Sequence, residues 1–250
     1  MNPVARGLAN RMRLARQRMI LQVSCAAVLA ACAAGGWGLR QVSTRAKALE
    51  RGNALVSSGQ YAEAVLALSE AIRLNSNPAK AHELRAIAYS KLGDHKRAVD
   101  DLSTVILLDA GNLSAYQMRA ACFLSLAQPT LAAKDLETAL RLSPQWVSGY
   151  ALRGMAYREQ GNLKAALEDL DMAVALDPRA ENYYQRGLTK ETLSDYPRAI
   201  DDYTIALEME PKWERAYRAR ARVHEALGYV NRAAEDLRKA VECVKTEGTP

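Results

Sequence analysis

At 250 residues the chain is long enough for one or two ordinary domains, or for one repeat array. An apolar content of 49% with 25% charged residues excludes a disordered chain, and sparse aromatics beside abundant alanine favour close-packed helices over a β-sandwich. The net charge of +6 does not indicate nucleic acid: residues 1–45 hold seven arginines and no acid, and setting these seven aside leaves residues 46–250 about one charge negative, without the basic field that phosphate binding needs.

In chain order, residues 1–18 form a basic, acid-free segment. Residues 19–39, MILQVSCAAVLAACAAGGWGL, carry no charge. As a helix at 1.5 Å per residue they span about 31 Å, enough to cross a bilayer core. Six alanines, three glycines, Gln22 and Ser24 make this a weakly apolar anchor or signal helix. Two fates are open. In the first, Leu29-Ala30-Ala31-Cys32 resembles the bacterial lipobox, and Cys32 receives lipid and becomes the mature N-terminus. In the second, the helix stays as an anchor, its arginine-rich end in the cytoplasm and the rest on the periplasmic side. An outer-membrane lipoprotein or a protein of an organellar membrane are the alternative locations. Residues 40–44 read as a linker.

From residue 45 the sequence repeats. Six units are expected, at 45–78, 79–112, 113–146, 147–179, 180–213 and 214–247, followed by a tail at 248–250. Each reads as a pair of helices, A and B. Position 20 of every unit is alanine: Ala64, Ala98, Ala132, Ala166, Ala199 and Ala233. Position 8 is always Gly or Ala. Small side chains at these places let the two helices approach closely. Large apolar residues such as Leu102, Ile106 and Leu108 recur at helical spacing in helix B. Gly59, Gly93, Gly161 and Gly228 are placed to end helix A in a left-handed cap, and Pro144, Pro178 and Pro211 to stop helix B.

This pattern resembles the tetratricopeptide repeat family over residues 45–247, about four-fifths of the chain. The resemblance implies an all-α fold: a right-handed superhelical solenoid of about 12 antiparallel paired helices, here behind an N-terminal hydrophobic helix. It also implies a concave groove, lined by the A helices, that takes an extended or helical segment of another protein. In the family's phase the groove positions hold Asn53, Ile87, Met155, Arg158, Tyr184, Leu188, Arg215, Arg218 and Arg222, together with Leu49, Glu83, Gln117 and Leu124. The three arginines of the last unit share one helical face and point to an acidic feature in the partner. The carboxylate clamp of the family's chaperone-binding members is matched only at Asn53. Leu49, Leu84, Ser114 and Met118 occupy its other positions.

Arginine stands at position 7 of all six units, and aspartate at position 23 of the last five, Ala67 taking its place in the first. One reading is an anion-binding ladder of arginines. The other is an Arg–Asp ladder along a helix seam, within or between units. The last helix B, with Val230, Ala234, Val241 and Val244, has no following unit in this sequence to cover it.

Enzyme chemistry has little to stand on. His82, His95 and His224 fall at unrelated repeat positions, and the sequence has no phosphate loop, nucleophile elbow or metal-spaced cluster. The expectation is therefore a non-enzymatic, membrane-tethered scaffold or adaptor without cofactor or metal. Six-repeat outer-membrane lipoproteins that assist assembly of cell-envelope complexes are the functional analogy. A receptor for precursor proteins on an organellar membrane is the alternative.

Overall fold

The computed structural model describes the backbone of residues 37–247 and the side chains of residues 47–244. The basic segment 1–18, Cys32 and all but the last three residues of the expected anchor 19–39 lie outside this range. Among the described residues the chain forms twelve α-helices and no strand. They are α1 (Trp37–Ser57), α2 (Tyr61–Arg73), α3 (Pro78–Lys91), α4 (His95–Leu108), α5 (Leu113–Ser125) and α6 (Pro129–Leu142). Then follow α7 (Val147–Glu159), α8 (Leu163–Leu176), α9 (Ala180–Thr192), α10 (Tyr196–Met209), α11 (Glu214–Ala226) and α12 (Val230–Glu247). Residues 40–44, expected as a linker, are helical within α1. No described helix is long and apolar enough to cross a membrane.

The chain divides into two bodies at Leu84/Arg85. In the first, α1 packs on α2. Gly52 makes that approach possible: a Cβ there would stand 2.5 Å from the side chain of Leu68, which is fully buried. In the second body, helices pair within repeats (α5 with α6, α7 with α8, α9 with α10, α11 with α12) and between them (α4 with α5, α6 with α7, α8 with α9, α10 with α11). The position-20 alanines are all buried, as the sequence pattern requires.

The turns follow from local chemistry. Gly93, Gly161 and Gly228 have φ near +80° where helix A ends. In the third and fifth repeats the same left-handed position is filled by Ala127 and Ser194, which are less suited to it. Asp94, Asn112 and Asn162 cap the next helices, their side chains accepting from the backbone N–H groups of Arg97, Ala115 and Ala165. The helix stops before Pro144, Pro178 and Pro211 stand where the sequence puts them. On α12, Val230, Leu237, Val241 and Val244 are exposed. The counterparts of Leu237 in the four preceding repeats, Leu102, Leu136, Leu170 and Tyr203, are buried.

Candidate functional site

Two sets of arginines define the second body, and they are wired differently. Position-7 arginines sit on the seam between helices A and B. Each uses its Nε and Nη2 atoms as a fork on the aspartate sixteen residues later. Arg119 holds Asp135 at 2.7 and 2.7 Å, Arg153 holds Asp169 at 2.7 and 2.7 Å, and Arg186 holds Asp202 at 3.0 and 2.7 Å. Arg85–Asp101 and Arg220–Asp236 repeat the arrangement. The pairs therefore lie within repeats. In three cases the remaining Nη1 reaches back to the preceding repeat: Arg119 to Ser103, Arg186 to Asp171 and Arg220 to Thr204. Aromatic rings flank the guanidiniums, as Tyr150 and Tyr157 do at 5.8 and 5.7 Å from Arg153. The hydrogen bonds to Asp169 raise the basicity of Arg153 above its ordinary value. With this carboxylate already seated on each fork, the five arginines of the second body are a structural seam and not an open ladder.

The A helices form the inner face. α5 touches α7, α7 touches α9, and α9 touches α11. Two pockets open on it. The first, of about 360 Å³, lies between Gln117, Leu152, Met155, Asn182 and Gln185. The second, of about 460 Å³, is lined by Arg158 from α7, Leu188, Glu191 and Thr192 from α9, Tyr196 at the start of α10, and Arg222 and Val223 from α11. Gln185 links them: its carbonyl and its Oε1 both accept from Nη1 of Arg158, at 3.1 and 3.0 Å. Both volumes fall within the range of ligand sites.

Glu191 organises the second pocket. It accepts from the Tyr203 hydroxyl at 2.5 Å and pairs with the fork of Arg222 at 3.1 and 3.2 Å. Burial and that hydrogen bond push the Tyr203 phenol well above its usual range, so it stays a donor. Arg158 is different. Burial lowers the basicity of its guanidinium by more than the nearby Glu159 carboxylate, with which it makes no hydrogen bond, raises it.

The expected groove residues divide accordingly. Met155 lines the first pocket, and Arg158, Leu188 and Arg222 the second. Ile87 borders a separate, smaller cavity of about 190 Å³ with Met118 and Cys122. Asn53 is exposed in the first body. Tyr184 belongs to the core instead of an open lining: it is 4% exposed, with Trp213 at 4.7 Å and Tyr203 at 5.8 Å between ring centroids. The last repeat's arginines are not three equivalent free cations. Arg215 lies over the Tyr184 ring, Arg218 pairs with Glu214, and Arg222 pairs with Glu191. Glu191 and Thr192 were missed by the sequence reading, although Glu191 stands in the fifth repeat where the groove residue Arg158 stands in the fourth, with Thr192 next to it. Among the described residues no group of His, Cys, Asp and Glu is arranged to hold a metal ion.

Paired helices stacked on paired helices, as in the second body, are the architecture of a helical-repeat protein. Comparison with known families specifies it. Tetratricopeptide repeat profiles match residues 79–112, 123–181 and 184–247, and a TPR repeat profile matches residues 52–93. The chain belongs to the tetratricopeptide repeat family, whose fold points to protein–protein interaction or a scaffold role. Repeat proteins of this kind are generally not enzymes.

Among solved structures it is similar to the MamA protein of Desulfovibrio magneticus RS-1, with 26% identity, a TM-score of 0.63, and coverage of 67% of this chain and 96% of that one. A tetratricopeptide repeat protein from Parabacteroides merdae ATCC 43184 is 20% identical at a TM-score of 0.68, covering 80% and 78%. The pilF protein of Pseudomonas aeruginosa is 15% identical at a TM-score of 0.64, covering 78% and 90%. The last two show likeness of fold alone. A comparison with curated protein sequences finds no match.

Proposed function

We propose that the second body captures a segment of another protein along its inner face, and that the protein is a membrane-tethered adaptor. The observation that carries the binding reading is the pair of linked pockets across α5, α7, α9 and α11. Their walls mix apolar groups (Leu152, Met155, Leu188) with amide and guanidinium groups (Gln117, Asn182, Arg158), the combination that holds a peptide's side chains and backbone together. The tether reading rests on the sequence: a basic segment 1–18 before an uncharged 19–39, fixed as an anchor helix or through a lipid on Cys32. On that reading the repeats work on the non-cytoplasmic side, in assembly of a cell-envelope complex. Capture of precursor proteins at an organellar membrane would use the same face.

A photo-cross-linking amino acid tests the binding reading. Placed at Met155 it is expected to capture a defined partner, and the Met155→Glu variant, cross-linked from Gln117, is expected to lose it. Placed at Leu107, which is 85% exposed on helix B, it is expected to capture nothing specific. Equal capture from both positions would defeat the reading. For the tether, intact mass of the protein from its native membranes separates a chain starting at acylated Cys32 from an unmodified anchor.

A further inference from the structure

Helix α12 differs from the B helices before it in what it leaves exposed. Val230, Ala234, Leu237, Val241 and Val244 follow one another at intervals of four, three, four and three residues, and all five are exposed. This is the spacing of a seam along which one helix packs on another. Leu140 and Leu207, the counterparts of Val241 in two repeats that are followed by another, are buried. Val244 has no apolar counterpart: Asp109, Ser143, Asp177 and Glu210 stand at its position and end the earlier B helices, whereas α12 runs on to Glu247. The neighbouring edge of α11 is of opposite character. Tyr184 and Leu188 of α9 pack in one apolar cluster with Ala216, Ala219 and Val223 of α11. At the same two repeat positions α11 itself carries Arg218 and Arg222, tied to Glu214 and Glu191. A helix settling between α11 and α12, as α11 settles on α9 and α10, would bury these cations. The seam therefore fits one helix lying on α12 alone.

From this pattern we infer that α12 is a self-association helix: along residues 230–244 it pairs with α12 of a second copy of this chain, each copy's α11 lying behind its own α12. Two properties select a second copy as the occupant. A helix that fits the seam must bring the same apolar spacing, and another α12 brings it in full. Beside the seam, Arg238 pairs with Glu242 at 4.0 Å and Lys239 with Glu235 at 2.9 Å. These four charges cancel, so the rim holds no net field to select an acidic or a basic partner and none to repel its own copy. Each α12 is already held as a helix through the buried Ala233 and Ala240 and the Arg220–Asp236 pair, so self-association need not nucleate it. The seam is about 21 Å long, which makes the pair one of the weak, reversible kind. The inference is independent of the inner face, which belongs to the A helices.

The test uses the full chain in its native membranes and a short bismaleimide spanning roughly 8 Å, about one and a half helical turns. Leu237→Cys is expected to give a linked dimer of this chain, identified by mass. Its yield should be about tenfold or more that of two controls: the parent chain, whose own four cysteines set the background, and Glu242→Cys, exposed on α12 but off the seam. Adding Val241→Glu to Leu237→Cys sets a carboxylate on each side of the seam and is expected to return the yield to background. Limited proteolysis checks that α12 stays folded, and Val241→Gln repeats the disruption without added charge. Val230→Cys reads the direction of the pair: a link shows parallel helices and no link antiparallel ones, and both are the proposed pair. A yield from Leu237→Cys no higher than from Glu242→Cys overturns the inference. So does a link that survives Val241→Glu, or a product joined to a different protein in place of a second copy. The cross-link at Met155 reports separately on the inner face, so either surface can fail alone.

Discussion

Arg153 and Arg158 lie five residues apart on one helix, α7, and belong to different regions of the molecule. Five residues turn a helix by about 140°, so one side chain faces helix B and the other the inner face. At the seam, Arg153 is enclosed by Asp169, Tyr150 and Tyr157 and is made more basic by its partner. At the inner face, Arg158 is half-buried beside neutral acceptors and is made less basic. The same residue type has its fork filled by a carboxylate at the seam and meets only neutral acceptors at the inner face. Arginine recurrence alone does not separate the two; the count of carboxylates facing each guanidinium does.

The contrast can be broken most forcefully at the seam. Asp202 is 2% exposed and holds both Arg186 and Lys190. Asp202→Ala leaves two cations without their shared carboxylate, and the expected loss is about 3 kcal/mol or more in urea unfolding. A loss under about 1 kcal/mol would mean that the seam pairs are held by the surrounding packing and add little themselves.

A gentler probe is pH. His224 occupies, in the last repeat, the place that Phe123 and Tyr157 fill in earlier ones, and it is buried with its Nδ1 unpartnered. Around it stand Asp236 at 3.7 Å, Arg220, Arg232 and Tyr229. Burial lowers its pKa most; Asp236 pulls the other way, and Arg220 and Arg232 each lower it further by less. The folded state therefore takes up its proton later than the unfolded state as pH falls. Stability is expected to be level for this group above roughly pH 6.5, the ordinary imidazole value, and to decline below it. In His224→Phe the part of the decline due to this residue should vanish, as read from urea midpoints between pH 7.5 and 5. An unchanged slope would show that His224 is not buried as a neutral ring.

Much of this was legible before the structure. The repeat length, the alanines at position 20 and the glycine caps carry the helix pairing, because each is tied to a close approach or a left-handed φ that few residues satisfy. The Arg–Asp ladder was legible in composition but not in connection. Arg119, for instance, has an aspartate sixteen residues after it and another eighteen before it, Asp135 and Asp101, and only packing decides that the later one is taken. Tyr184 was misplaced for a similar reason. Its repeat position faces the groove in principle, but Trp213 and Tyr203 offer its ring an apolar seat, and burying a large ring outweighs the register of the repeat. Glu191 was legible by phase and was passed over because the sequence does not show that Tyr203 and Arg222 converge on it.

The most direct measurement sets the two arginines of α7 side by side: urea unfolding of Arg153→Gln and Arg158→Gln against the parent chain. Loss of Arg153 strands the Asp169 carboxylate, and a destabilisation of about 3 kcal/mol is predicted. Loss of Arg158 strands no charge, relieves a half-buried cation and leaves the neutral Gln185 acceptors to the new amide, so a change under about 1 kcal/mol is predicted. Equal destabilisation by both substitutions would contradict the division of this helix into an ion-paired structural edge and an inner edge that carries little of the stability.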